Sequence, residues 1–261
     1  MNCPVACFGQ GNEDCKIYKR FFSAPRWKGE GAGFFVEMGG LDGITFSNSF
    51  LFEHCLGWTG LLIESHPTSY QEMIRNRPCS LNVWGAICNA SLPASSHSYS
   101  HTYMVHDYVQ NTVNLSRVAE HNERYPLNPQ RVRLVPCRRL SSIFGELNVT
   151  HIDFMSLDVE GMEAEALASI DFDRVSVSVL IVESDFFGNR NASQAHYINS
   201  TAKMTVVHEI LTRRAGLLLM PSDGINVPEC TRLRLRLPRR AFALHGSQVY
   251  VNPLFRDDVC P

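Results

Sequence analysis

Four apolar runs in this chain close on acids: Glu37, Glu64, Asp158 with Glu160, and Glu183, within "GFFVEMGG", "WTGLLIES", "HIDFMSLDVEG" and "VSVSVLIVES". An unpaired carboxylate is costly to bury, so core filling does not concentrate acids at such points. In open α/β sheets, ligands sit beyond the carboxyl ends of the strands, where acids in register can act together. The first run is followed by Gly39, Gly40 and Gly43 in "EMGGLDG". Glycine at a strand-to-helix turn lets the backbone bend sharply and approach a ligand closely. Leu41 interrupts the phosphate-binding G-x-G-x-x-G spacing, and no Gly-Lys-Ser/Thr of a P-loop occurs in the chain. A nucleoside-bearing cofactor without phosphates fits these residues better. Glu64, closing the second run, is placed as the acid that accepts both hydroxyl protons of a ribose.

The elements that must position these acids follow from periodicity. "EDCKIYKRFF" puts Ile17, Phe21 and Phe22 near one face of a leading helix. "GFFVEMG" reads as a buried strand. "SNSFLFEHCLG" reads as a helix with a Ser/Asn start and Gly57 at its close. "WTGLLIES" is a second strand, "TSYQEMIRNRP" a helix stopped by Pro78, and "SLNVWGAIC" a third strand. "HIDFMSLDVEG" and "VSVSVLIVES" are the fourth and fifth strands, with the helix "MEAEALASI" between them. A helix closing on Gly216 and two late strands, "LLLMP" and "SQVYVNP", finish the pattern, with an antiparallel edge expected there. Strand–helix alternation predicts an α/β fold, a mostly parallel sheet covered by helices on both faces. Residues 1–261 read as one domain, with a helical lead-in over 1–32 and an irregular insertion over 89–135.

Composition narrows the setting. Hydrophobic residues at 44% and charged residues at 19% are those of a globular chain, and a net charge of −2 gives no bulk attraction to nucleic acid. "RLRLRLPRR", Arg232 to Arg240, reads as a strand or edge with one charged face. No segment approaches the roughly 18 apolar residues that span a bilayer, so any membrane association would come through an anchor outside this chain. His97, His101 and His106 lie in a Ser-rich stretch without paired acidic or Cys ligands and read as loop residues. Nine cysteines make no paired CxxC zinc pattern, and five Asn-x-Ser/Thr sequons occur, at Asn89, Asn114, Asn148, Asn191 and Asn199. Lumenal (endoplasmic reticulum or Golgi) and cytoplasmic settings both stay open. Cys88 and Cys137 flank the insertion and would be bridged in an oxidising compartment.

The combination of "GFFVEMGGLDGITFSNSFLFE", "LGWTGLLIESHPTSYQEMIRNRP", "NVWGAIC", "VPCRRLSSIF" and "IDFMSLDVEGMEAEAL", in that order, resembles the FkbM-type S-adenosylmethionine-dependent methyltransferases. "GQGNEDCKIYKRFF" is similar to the helix that precedes the domain in the eukaryotic branch of that family, which also includes the trafficking protein Star. The resemblance implies the Rossmann-like class I methyltransferase fold with seven strands, and S-adenosyl-L-methionine as cofactor. It implies transfer to a sugar or other hydroxyl-bearing acceptor, small molecule or glycan. The alternative is a Star-like lumenal factor that uses the fold without catalysis. Where many members carry a small residue in the "GANDG" turn, this chain has Leu41.

By the same resemblance, Glu37 holds the methionine amino group, Gly39, Gly40 and Gly43 shape the methionine end, and Glu64 takes the ribose. Ala86 lies at the adenine, and Ser47 and Asn48 either cap the next helix or touch the cofactor carboxylate. Asp158 falls where the sulfonium methyl group points and is the candidate general base or acceptor orienter, with Glu160 beside it. The two acids could together hold a divalent cation, but no third ligand is evident and no metal site is assigned. Glu163 and Glu165 read as a solvated helix face, Glu183 fits a structural role as well as a functional one, and His66 is either a nucleoside neighbour or a turn histidine.

Overall fold

In the computed structural model, residues 6–87, 100–105, 108–110, 132–159, 161–183, 194–220 and 247–255 are described. The helices are α1 (Glu13–Ile17), α2 (Phe50–Leu56), α3 (Pro67–Asn76), α4 (Leu140–Glu146), α5 (Glu163–Ala168) and α6 (Gln194–Glu209). The chain continues from α1 and from α6 as single π turns, Tyr18–Phe22 and Ile210–Arg214. The strands are β1 (Phe34–Met38), β2 (Thr59–Glu64), β3 (Leu81–Trp84), β4 (Ala86–Ile87), β5 (Ser100–Val105), β6 (Tyr108–Gln110), β7 (Val132–Arg138), β8 (His151–Leu157), β9 (Ser176–Glu183), β10 (Leu218–Leu219) and β11 (Ser247–Val251).

Seven strands form one sheet in the order β10-β11-β9-β8-β1-β2-β3. β3, β2, β1, β8 and β9 run parallel, while β11 is antiparallel to β9 and to β10. This is the Rossmann-like class I methyltransferase topology, with the reversal of strand order falling between β1 and β8. The parallel strands read as unbroken apolar runs because both faces are covered. In β1, Val36 and Met38 enter a core with Leu140, Ile143, Phe144 and Leu167, whereas Phe35 enters a second core with Phe22, Phe52, Trp58 and Phe154. Period-two alternation therefore puts Glu37 on the Phe35 face, beneath the start of α2. Trp58 fixes the lead-in to this second core, donating from Nε1 to the Trp27 carbonyl at 2.8 Å while its ring packs edge-on to Phe22.

Two segments depart from the expected pattern. "LNVWGAI" is not one strand but two: β3 pairs with β2 in the main sheet, and β4 pairs with β7 in a second, four-stranded sheet ordered β4-β7-β5-β6. The break is at Gly85, whose φ of 147° lies outside the range other residues favour and whose added Cβ would sit 2.8 Å from the Pro136 carbonyl oxygen. The stretch expected to be irregular contributes β5, β6 and most of β7 to that sheet. Serine, histidine and threonine in "SHTYMV" masked a strand that its antiparallel partner β7 stabilises through backbone pairing. Cys88, His97, His106 and the Arg/Leu segment lie outside the described residues, and His101 falls in β5. No described helix is long and apolar enough to cross a membrane.

Candidate active site

The ends of β1, β2 and β8 abut because their registers place Met38 beside both Ile63 and Leu157. Gly39 then donates to the Ile63 carbonyl at 3.0 Å, and Asp158 donates its N–H to the Met38 carbonyl at 3.2 Å. Gly39 has φ 80°, and a Cβ there would overlap the Asp158 carbonyl oxygen, so the two strand ends meet only over a glycine. A cavity of about 330 Å³ opens above this junction. Of the expected site residues, Glu37, Gly39, Asn48, Glu64, Ala86 and Asp158 line it. Gly40 and Gly43 do not: their missing side chains make room for Met73 and, at Gly43, for Arg77, whose Cγ would lie 2.7 Å from an added Cβ. Glu160 lies outside the described residues.

Glu37 is buried, and its carboxylate is tied down by the loop before α2. Oε1 accepts the Asn48 N–H at 2.7 Å, and Oε2 accepts the Ser47 and Ser49 hydroxyls at 2.7 and 2.5 Å. Ser47 also accepts the Phe50 N–H at 3.0 Å, so it caps the helix and anchors the acid together. Asn48 sends Nδ2 to the Ser156 hydroxyl at 3.2 Å, while its buried Oδ1 has no partner among the described residues. Glu64 is buried likewise, with Oε2 accepting the Leu41 N–H at 2.8 Å and Oε1 the His66 N–H at 2.6 Å. Leu41 therefore has an assignable role in the glycine turn: it takes a left-handed φ of 48°, a conformation costing a non-glycine residue about 1–2 kcal/mol, and aims its N–H at Glu64. Phe46, at φ 58° and more than half exposed, is a second left-handed apolar residue at the cavity wall.

Asp42 closes the turn, accepting the Ile44 and Thr45 N–H groups at 2.9 and 2.6 Å and the Thr45 hydroxyl at 2.7 Å. Partial burial pushes its carboxyl up, but these hydrogen bonds outweigh it and hold the pKa below the usual carboxylate value. His66 lines the cavity and also caps α3, its ring accepting the Ser69 N–H at 3.4 Å.

Several residues of the site were not singled out from the sequence. Arg77 is fully buried; it donates from Nε to Glu53 Oε2 at 2.7 Å and from Nη1 to the Gly43 carbonyl at 2.8 Å. Gln10 and Glu13 bring the lead-in to the cavity wall, in a loop closed by a Cys7–Cys15 disulfide. Glu163 corrects the expectation of a solvated face. It is fully buried, pairs with Lys203 Nζ at 2.9 Å, and accepts the Gly161 N–H at 3.0 Å. The pair thereby braces the chain just beyond Asp158. Among the described residues the one cluster with metal-ligand spacing is Cys7, Asp14 and Cys15, whose two sulfurs are bonded to each other.

A twisted parallel sheet with this strand order, and acids from three adjacent strand ends around one cavity, defines a class I methyltransferase architecture. A family model described as "Methyltransferase FkbM domain" matches residues 37–212, and the chain belongs to that family, whose cofactor is S-adenosylmethionine. Solved structures with similar folds include the FkbM methyltransferase of Methylobacillus flagellatus KT (12% identity, 90% of this chain and 47% of that one, TM-score 0.43). The O-methyltransferase of Bacillus cereus in complex with SAH is similar too (8% identity, 95% and 83%, TM-score 0.41). So is Aeropyrum pernix fibrillarin with natively bound S-adenosyl-L-methionine (9% identity, 91% and 73%, TM-score 0.37). These scores fall below 0.5, and the fold assignment rests on the sheet order above. No curated protein matches the chain in sequence.

Proposed function

We propose that the protein transfers the methyl group of S-adenosylmethionine to a hydroxyl oxygen of a small-molecule or glycan acceptor. The observation that carries this reading is the convergence of Glu37, Glu64 and Asp158, from three adjacent strand ends, on one cavity. When bound, the cofactor supplies an electrophilic methyl group on a sulfonium. Glu64 is oriented by two backbone N–H groups toward a ribose diol, and Gly39 lets the end of β8 close against β1 beside the methionine chain. Half-buried Asp158 orients the acceptor hydroxyl and takes its proton as the oxygen–carbon bond forms. Its position beside Gly39 keeps that proton acceptor at the end of the sheet where strand order reverses.

The test is calorimetric titration with S-adenosylmethionine and S-adenosylhomocysteine. Binding is expected, weakened by Glu64→Ala; no binding by the intact protein would sink the enzyme reading and favour the trafficking alternative. Asp158→Ala is expected to retain cofactor binding and lose transfer by about 10²–10⁴-fold. Unchanged transfer would remove Asp158 from the mechanism.

A lumenal setting is a second reading, favoured by Cys7–Cys15 and by Cys55 and Cys137, which are also disulfide-bonded. The sequon residue Asn148 is exposed in the turn between α4 and β8. Non-reducing peptide mapping should find these cysteines bridged and Asn148 glycosylated in protein from secretory cells. Free thiols at Cys7 and Cys15 would overturn the assignment.

A further inference from the structure

Arg77 lies behind the glycine turn and does not line the cavity, yet two of the hydroxyls it donates to are themselves bonded to Glu37, which does. Its guanidinium is wholly buried between the Phe35 and Phe50 rings, 5.3 and 5.4 Å from their centroids. Nε and Nη2 meet Glu53 Oε2 at 2.7 Å each, and Nη1 meets the Gly43 carbonyl at 2.8 Å. The remaining donors reach the Ser47 and Ser49 hydroxyls, at 3.4 and 3.2 Å. A guanidinium can only donate. Both hydroxyl oxygens therefore accept from Arg77, and each turns its single proton toward Glu37 Oε2. Without Arg77, Ser47 still accepts the Phe50 N–H, whereas the Ser49 hydroxyl can rotate and offer Glu37 a lone pair instead.

The relay leaves a defined remainder. Each carboxylate oxygen accepts about two hydrogen bonds. Oε2 of Glu37 holds two hydroxyl donors, and Oε1 holds the Asn48 N–H alone among the described residues. Beside it, Asn48 Oδ1 is buried without a partner, while its Nδ2 is fixed by Ser156. Glu37, Asn48 and Ser156 all line the cavity. The remaining lone pair on Oε1 and the unpartnered Oδ1 together suit a protonated amine.

We infer that Arg77 is a positioning residue for the aminoacyl end of the cofactor: through Ser47 and Ser49 it sets Glu37 so that Oε1, together with Asn48 Oδ1, receives the α-ammonium group. This rests on the cofactor reading proposed above. Arg77 itself contacts no ligand.

The experiment compares two ligands that share adenosine and a thioether sulfur, S-adenosylhomocysteine and 5′-methylthioadenosine, the second lacking the amino acid. Ser47→Ala/Ser49→Ala leaves the Arg77–Glu53 pair and its aromatic packing intact. It is expected to weaken S-adenosylhomocysteine about 10-fold or more, from two lost hydrogen bonds to a charged group, and to leave 5′-methylthioadenosine within about 2-fold. Asn48→Leu, which removes Oδ1, should show the same selectivity. Arg77→Lys should show it too, and should add nothing further in the double-serine background. Equal weakening of both ligands would reduce Arg77 to a structural brace and overturn the inference. So would additive effects of Arg77→Lys and the serine pair, or selectivity absent from all three variants. Failure of the unsubstituted protein to bind either ligand would instead overturn the cofactor reading, and this inference with it.

Discussion

Two loops at the carboxyl end of the sheet are each braced by an ion pair whose base is buried, and the pairs work differently. Behind the loop after β1, Arg77 pairs with Glu53 and distributes its other donors over Gly43, Ser47 and Ser49. Behind the loop after β8, Lys203 pairs with Glu163, and the acid rather than the base reaches the loop, through the Val159 and Gly161 N–H groups. Arginine offers a rigid planar fork, whereas a lysine ammonium is a compact point charge on a flexible stem. The first loop is therefore fixed at several atoms, and the second is held through one carboxylate oxygen that accepts the Val159 and Gly161 N–H groups. On the proposed function, the former geometry suits recognition of one fixed ligand, and the latter suits an Asp158 that meets varied acceptor orientations.

Arg77→Met strands Glu53 and removes the loop's donors, and should cost about 5 kcal/mol, the upper end for breaking a buried pair, in urea unfolding. Lys203→Met strands fully buried Glu163 but leaves its bond to Gly161; the expected loss is about 3 kcal/mol. A larger loss for Lys203→Met than for Arg77→Met would make the loop after β8 the more strongly braced of the two. Lys203→Met combined with Glu163→Leu replaces the pair by apolar bulk and should return most of that stability. Methyl transfer in this double variant should stay low, because Gly161 has lost its acceptor; full activity would show that the brace does not serve the loop.

The smallest effect expected is in the pH dependence of the first loop. Asp42 has a folded pKa below its unfolded value of 3.8. Its contribution is thus fully present above that value and is lost as pH falls through the folded pKa. Asp42→Asn should flatten the acid limb of the stability curve in that window and change little at neutral pH. An unchanged acid limb would mean that the Thr45 and Ile44 hydrogen bonds do not hold the turn.

Much of the sheet was readable from the chain because β1, β2, β8 and β9 are covered on both faces and so appear as continuous apolar runs. The acids at their ends stood out against that background, and Glu37, Glu64 and Asp158 do meet at one cavity. Arg77 could not be found this way. At the end of α3 it reads as an ordinary partner for the helix dipole, and its burial depends on Glu53, 24 positions earlier, and on the rings of Phe35 and Phe50. Glu163 was misread for the same reason: its partner lies on α6, and helical spacing within α5 gives no sign of it. The split of "LNVWGAI" was hidden because one glycine in an apolar run looks like a gap in packing, while here it is where the chain changes sheets.

That change of sheets ties two parts of the molecule together mechanically. Gly85 donates its N–H to the carbonyl of Glu64 at 2.9 Å, and the next two residues are already strand β4 of the four-stranded sheet. At this crossing, a shift of that sheet relative to the main one would act on a residue bonded to the backbone of Glu64, the acid proposed to face the ribose. Any coupling free energy between the two sheets is reciprocal by thermodynamic necessity. A ligand seated on the smaller sheet that tightens cofactor binding by some factor is itself held tighter, by the same factor, when the cofactor is bound.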